Sequence, residues 1–277
     1  NGGSLTMKNV TARHNSTGSW GGGLLFATAD SPLCFENCLM EDCTANNDAG
    51  AIRIVTKSGG AGDNVDRVFR RCAFRQCFTT SGHGGAILCD DATKGRCIFD
   101  GCEFDDCNAG WGGAIRLNGP YGMFINCTFR ENIADSGWYA TIVPSDALIY
   151  NSVFVDNMNG PYYKDFCDGD SDRPLPFLVN CTWSASDKDP DAYPDRCTGC
   201  RKASLSQLRF TKEFAAERPY EPRSSSPLFN AAYAPDWIKA AVGALDCYGN
   251  PRELFGGLDV GAAECQSFGP GCAILIR

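Results

Sequence analysis

INCTFREN, residues 125–132, alternates side-chain character from Asn126 to Phe129 and then breaks into the polar run Arg130-Glu131-Asn132. Successive side chains of a strand point to opposite faces, so Cys127 and Phe129 face one way while Asn126 and Thr128 face the other. The same block recurs as KNVTARHN (8–15), ENCLMEDC (36–43), RRCAFRQC (70–77), DGCEFDDC (100–107), YNSVFVDN (150–157) and VNCTWSAS (179–186). Its third position falls at Val10, Cys38, Cys72, Cys102, Cys127, Ser152 and Cys181, in steps of 28, 34, 30, 25, 25 and 29. A fixed motif at variable spacing is the mark of a solenoid whose insertions are confined to loops.

A second block precedes the first six copies: GGSL (2–5), GGLL (22–25), AGAI (49–52), GGAI (84–87), GGAI (112–115) and the degenerate YATI (139–142). Each repeat therefore holds two short alternating segments separated by Gly, Asn and Asp, with no helical period over residues 1–186. Stacking the repeats predicts an inward small-residue column at the third position and an aromatic column of Met40, Phe74, Phe104, Phe129, Phe154 and Trp183. A third column, Asn15, Cys43, Cys77, Cys107, Asn132, Asn157 and Ser186, falls where a strand turns inward at a corner. Amides repeated at the strand spacing of about 4.8 Å can hydrogen-bond as a ladder. The fold class that follows is all-β, a parallel β-helix of about seven coils over residues 1–186.

The paired GGAI and F-x-x-N motifs (Phe129–Asn132 and Phe154–Asn157, with Cys variants Phe74–Cys77 and Phe104–Cys107) resemble the repeats of polymorphic outer-membrane-protein passengers. They are similar as well to related right-handed β-helix proteins of the pectin-lyase-like superfamily. The resemblance implies a right-handed solenoid. It says little about activity, since that architecture hosts lyases, hydrolases, adhesins and inert spacers.

Beyond residue 187 the texture changes. Residues 187–277 read as a loop-rich closing region, with a short helix expected within 203–217 and a terminal strand at 271–277. SSSPLFNAA (224–232), DCYGNPR (246–252) and GGLDVGAAE (256–264) resemble the closing segment of secreted bacterial β-helix proteins. That resemblance implies packing on the last coils and not a catalytic domain.

The chain has 277 residues, 43% hydrophobic and 21% charged, with a net charge of −8. This is a globular composition, and the acidity argues against a nucleic-acid partner, whose phosphates call for clustered Lys and Arg. No window approaches the roughly 18 uninterrupted apolar residues of a membrane-spanning helix. NGGSLTMKN does not read as a secretory signal, so any leader is expected to have been removed or left out. Seventeen cysteines and four sequons, at Asn9, Asn15, Asn126 and Asn180, point to a secreted, disulfide-bearing glycoprotein on or outside the cell surface. Asn9, Asn126 and Asn180 each precede the inward column, which puts these glycosylation candidates on one outward line. For Cys38, Cys72, Cys102 and Cys127, disulfides and plain packing as small buried residues both remain open. CTGC (197–200) lacks a second ligand pair for zinc and reads as a local disulfide or turn.

No catalytic residue is assigned. A β-helix glycosidase needs paired carboxylates, and the family's Asn-Thr-Asp and Arg-Ile-Lys motifs are missing. The GHG at 82–84 places His83 where Trp111 stands in the next repeat, an ordinary loop position. DGDSD (168–172) offers Asp168, Asp170 and Asp172 as weak Ca²⁺ ligands without the distal Glu of an EF-hand; no other cofactor is expected.

GPGCAILIR (269–277) echoes the GGAI segments. Cys272, Ala273, Ile274 and Ile276 either fold back on their own solenoid or pair with Gly2, Gly3 and Leu5 of another copy, an open contact that would propagate. The functional expectation is a secreted structural or adhesive β-helix, self-associating end to end, with carbohydrate as a further partner. A polysaccharide lyase, a glycosidase or a carbohydrate-binding stalk is the alternative.

Overall fold

The computed structural model describes residues 3–18, 21–28, 32–55, 65–90, 95–119, 121–135, 142–143, 146–159, 176–184, 195–210, 221–253 and 256–266. Almost all regular structure among them is β, and the strands stack in parallel as a β-solenoid. One coil shows the plan. Arg96–Asp100 lies in a first sheet, Glu103–Asp105 in a second, Asn108–Ala109 in a third and Ile115–Asn118 in a fourth. Each strand pairs with its equivalents one repeat away, so that Phe104 is in register with Phe74 on one side and Phe129 on the other. The described strands make two sheets of eight, one of six and one of five.

The corners are one residue wide. Gly101 and Asp106 adopt the left-handed conformation, at φ 59° and 51°, and turn the chain from the first sheet to the second and from the second to the third. Gly112, at φ 70°, leads into the fourth sheet, whose strands begin at the Ile of each GGAI. These segments therefore supply one wall of the solenoid, as the repeat reading requires.

Alternation fills the core. Phe74, Phe104, Phe129 and Phe154 stack with ring centroids 5.0, 4.9 and 4.9 Å apart, close to the strand spacing itself. A second column, unforeseen from the repeat, runs through Phe35, Phe69, Phe99 and Phe124 at 5.1, 4.9 and 4.7 Å. The two columns meet edge to face, with Phe99 and Phe104 5.8 Å apart. At the second corner the expected amide ladder is present: Asn132 Nδ2 donates to Asn157 Oδ1 at 2.9 Å, and Asn132 Oδ1 accepts the Cys107 N–H at 3.0 Å.

The disulfide expectation is corrected. No disulfide joins any of the described cysteines. Cys38, Cys72, Cys102 and Cys127 pack as a buried column of thiols, the second of the two alternatives above. Each follows a left-handed corner residue and donates to backbone carbonyls. Cys102 Sγ reaches Phe69 O at 3.4 Å, and Cys127 Sγ reaches Phe99 O at 3.5 Å. Cys43, Cys77 and Cys107 repeat the arrangement at the next corner, where Cys107 Sγ donates to Phe74 O at 3.5 Å.

The stack continues past the seventh block. Cys197–Thr198 and Arg201–Lys202 add the eighth strands of the first and second sheets. CTGC is therefore a corner with Gly199 at φ 66°, and Cys200 prolongs the column of Cys181. Of the helix expected within 203–217, Leu205–Leu208 forms a single turn opened by a Ser204–Gln207 capping box. Residues 211–220 lie outside the described set, as does the strand expected at 271–277. A second helix, Asp236–Ala241, is preceded by Pro235. No described helix is long and apolar enough to cross a membrane.

Residues 226–253 and 256–265 run back over the outer side of the second sheet. Leu228 and Val260 bury the outward Val153 and Val155 in a small second cluster with Ala203 and Leu208. Val153–Val155 is accordingly buried at all three positions, where Ala73–Arg75 is buried only at Phe74. The uninterrupted apolar run VFV marks a strand covered on both faces.

Candidate functional site

The corner between the first and second sheets carries one line of left-handed residues: Asn9, Asn37, Arg71, Gly101, Asn126, Asn151, Asn180 and Gly199. Asn tolerates this conformation better than other residues with a Cβ, which explains its recurrence. The amides connect along the line. Asn37 Nδ2 donates to Asn9 Oδ1 at 2.7 Å, and Asn180 Nδ2 donates to Asn151 Oδ1 at 3.0 Å.

The carboxyl-terminal segment occupies one half of this line by capturing those amides. Asn126 Nδ2 donates to Asp259 O at 2.8 Å, Asn151 Nδ2 to Tyr233 O at 2.9 Å and Asn180 Nδ2 to Ala231 O at 2.7 Å. In return Asn151 Oδ1 accepts the Tyr233 N–H at 2.7 Å, and Thr128 Oγ1 accepts the Ala262 N–H at 3.0 Å. Asn151 is fully buried, and so is Asn126.

A buried polar knot fastens the segment. Asp246 accepts the N–H groups of Tyr248, Asn250 and Glu264, closing the Asp-x-x-Gly-Asn-Pro-Arg turn. Arg252, at the end of that turn, lies between Glu264 at 3.4 Å and Asp100 at 3.7 Å. Its guanidinium passes directly over Gly101, where a side chain would collide with it. Burial pushes the Glu264 carboxyl up to about 9 against the opposing pull of Arg252. Burial likewise pushes Asp259 up to about 6, although the Asn230 and Cys265 N–H groups favour its ionised form. Asp100 is raised for the same first reason, with Arg252 opposing. The motifs that resemble a closing segment thus converge in space and serve attachment.

Beside this segment, a groove of about 280 Å³ lies over the first rungs among the described residues. Asn9, Asn37, Arg71 and Arg75 line its floor, with Glu103 and Tyr248 at the covered end. Arg71 Nη2 holds Glu36 at 2.8 Å, and Arg75 Nη2 holds Glu103 at 2.9 Å. Hydrogen bonds from Lys8 and then from Arg71 keep Glu36 below the ordinary carboxylate range. Glu103 is buried and also accepts from the Cys247 thiol at 3.3 Å. Burial, then the neighbouring Glu103, raises that thiol.

The sequence-predicted sites fare unequally. Asn126, a glycosylation candidate, is fully buried, and its amide nitrogen donates to Asp259 O of the covering segment. Asn180 is half-buried with its Nδ2 shared between two acceptors, and Asn15 turns inward, donating to Arg13 O at 3.2 Å. Asn9 alone of the four is exposed. Gly3 is exposed, and Leu5 opens the strand Leu5–Lys8, which pairs with Leu33–Glu36. Asp168, Asp170, Asp172, Gly2, Cys272, Ala273, Ile274 and Ile276 lie outside the described residues. His83 bridges to Trp111 at the equivalent position of the next coil, its Nδ1 2.9 Å from Asp48 Oδ1. No group of three or more His, Cys, Asp or Glu side chains among the described residues is arranged to hold a metal.

Sequence reasoning missed Arg71 and Arg75 as groove residues. Their signal is positional: at the corner, Arg71 replaces the Asn found in five of the other coils. Compared with known proteins, the chain matches no family model and no curated relative, so the resemblance to β-helix families rests on its repeat residues.

Proposed function

We propose that the protein is a non-catalytic adhesive β-solenoid of the cell surface or extracellular space, whose open groove takes a neutral, hydroxyl-rich ligand such as a glycan chain. The observation that carries this reading is the pairing of the groove's charges. Arg71 is matched by Glu36 and Arg75 by Glu103, so the floor offers amide and guanidinium N–H donors with little net positive charge. An acidic polymer would gain most from cations without such partners. Tyr248 at the rim adds an aromatic edge of the kind that packs against sugar rings.

Hydrolysis would call for two carboxylates facing each other across about 5–10 Å. Among the described residues lining the groove, Glu103 is the one carboxylate, and it is held as an acceptor between Arg75 and Cys247. With no disulfide among the described cysteines, the extracellular part of the reading rests on the repeat resemblance.

Binding of labelled neutral and uronate-containing oligosaccharides, with chain length followed over time, tests the reading. Neutral chains are expected to bind intact, and Asn37→Ala with Arg71→Ala to weaken them about tenfold or more. Preference for uronates, or shortening of the chains, would overturn it.

A further inference from the structure

The far end of the cysteine column differs from the rest of it. Thr182 and Arg201 are in register, so Cys181 and Cys200 are neighbours in adjacent rungs, about 4.8 Å apart along the stack. Cys197 is in register with the core residue Leu178 and lies three residues before Cys200, across the left-handed Gly199. Cys197 and Cys200 pack on the end of the same apolar core, and both are half-buried where Cys38, Cys72, Cys102 and Cys127 are sealed. Cys200 Sγ lies 3.5 Å from Leu178 O, and Cys181 Sγ lies 3.4 Å from Ile149 O. Three cysteines therefore lie on adjacent rungs at the last described coil, two of them partly exposed. They form no metal-holding group.

We propose that Cys197 and Cys200 are a reactive dithiol, with Cys200 the attacking thiolate, that exchanges with low-molecular-weight disulfides. Hydrogen bonds from the Cys181 thiol and then from Cys197 favour the Cys200 thiolate and lower its pKa, while Cys197 is raised by the proton it shares with Cys200. Partial exposure and a stabilised thiolate are the two conditions for such reactivity. The chemistry balances in two exchanges. Cys200 thiolate attacks one sulfur of glutathione disulfide, breaking that S–S bond, forming a mixed disulfide and releasing glutathione thiolate. Cys197 then gives up its proton and attacks the Cys200 sulfur, forming the Cys197–Cys200 disulfide and expelling the second glutathione. Two protein thiols are oxidised, and one glutathione disulfide is reduced to two thiols. The site is independent of the groove.

Arg196 and Arg201 flank the pair, so trypsin releases Cys197–Arg201 as one peptide. The whole protein is incubated with glutathione disulfide under native conditions, quenched in acid, unfolded, alkylated and digested. The peptide is expected to lose two hydrogens and escape alkylation, while peptides carrying Cys72 and Cys102 stay fully alkylated. Cys197→Ser should trap one glutathione on Cys200, and Cys200→Ser should leave Cys197 unmodified. A Cys197–Arg201 peptide that stays alkylated at every ratio of glutathione disulfide to glutathione overturns the proposal. So does a cross-link from Cys200 to Cys181 in place of Cys197.

Discussion

Arg252 of the carboxyl-terminal segment reaches Asp100 of the solenoid, 3.7 Å away, by passing over Gly101, the corner where five other coils carry Asn. Both charged side chains are almost fully buried. The glycine thus serves a contact between two parts of the chain separated by some 150 residues of sequence. Gly101→Ala adds a Cβ in the path of the guanidinium and places a side chain at φ 59°. Strain at the left-handed position costs about 1–2 kcal/mol, and displacing Arg252 adds to it. The expected loss in urea unfolding is about 3–5 kcal/mol, because the buried Arg252–Asp100 pair is broken. Gly249→Ala, at φ 82° with open space around it, should cost the conformational share alone.

The same knot sets a pH dependence. Glu264 holds its proton to about pH 9, whereas in the unfolded chain it ionises near the ordinary glutamate value. Between those values the unfolded state binds fewer protons than the folded one, so stability falls as pH rises through this window. Asp259 contributes in the same sense up to about pH 6. Unfolding midpoints at pH 5 should exceed those at pH 8.5. Glu264→Gln, which keeps an acceptor for the Asp259 N–H, should flatten the difference. A midpoint that rises with pH across this range would contradict the assignment.

The buried amide ladder yields a graded series. Asn132 Oδ1 accepts the Cys107 N–H, and its Nδ2 serves both Phe104 O and Asn157 Oδ1. Asn132→Ala leaves these groups unsatisfied in the core, at an expected cost of about 2–4 kcal/mol. Asn15, in the same column but half-buried, reaches, among the described residues, Arg13 O and, at 3.9 Å, Cys43 Sγ. Asn15→Ala should cost less than about 1 kcal/mol, so thermal unfolding of the two variants should separate clearly.

The solenoid was legible because its period-two alternation repeats at every rung, as the Phe74–Phe104–Phe129–Phe154 stack shows. The Phe35–Phe69–Phe99–Phe124 column escaped because it lies just before the conspicuous block, in strands that carry no shared Gly or Asn to align them. The groove was not legible. Its covered end is made by Cys247 and Tyr248, and their place on the solenoid depends on contacts like Asn126–Asp259, far apart in sequence. Cysteine counting misled for a related reason: a column of small corner residues and a disulfide framework have the same composition.

The sequons are the sharpest instance. Asn126-Cys127-Thr128 meets three separate demands of the fold: a residue tolerant of φ 51°, a small inward side chain and an outward hydroxyl that accepts the Ala262 N–H. The Asn-X-Thr pattern follows from those demands without any sugar. Expression through a glycosylating secretory pathway should therefore leave Asn126 unmodified, with any attached sugar at the exposed Asn9. Asn126→Gln should not change the glycan mass, yet it should destabilise the fold by about 1–3 kcal/mol, since the longer amide cannot keep the bond to Asp259 O at a left-handed corner. Peptide mapping that finds a sugar on Asn126 in the folded protein would show that the covering segment does not seal this corner.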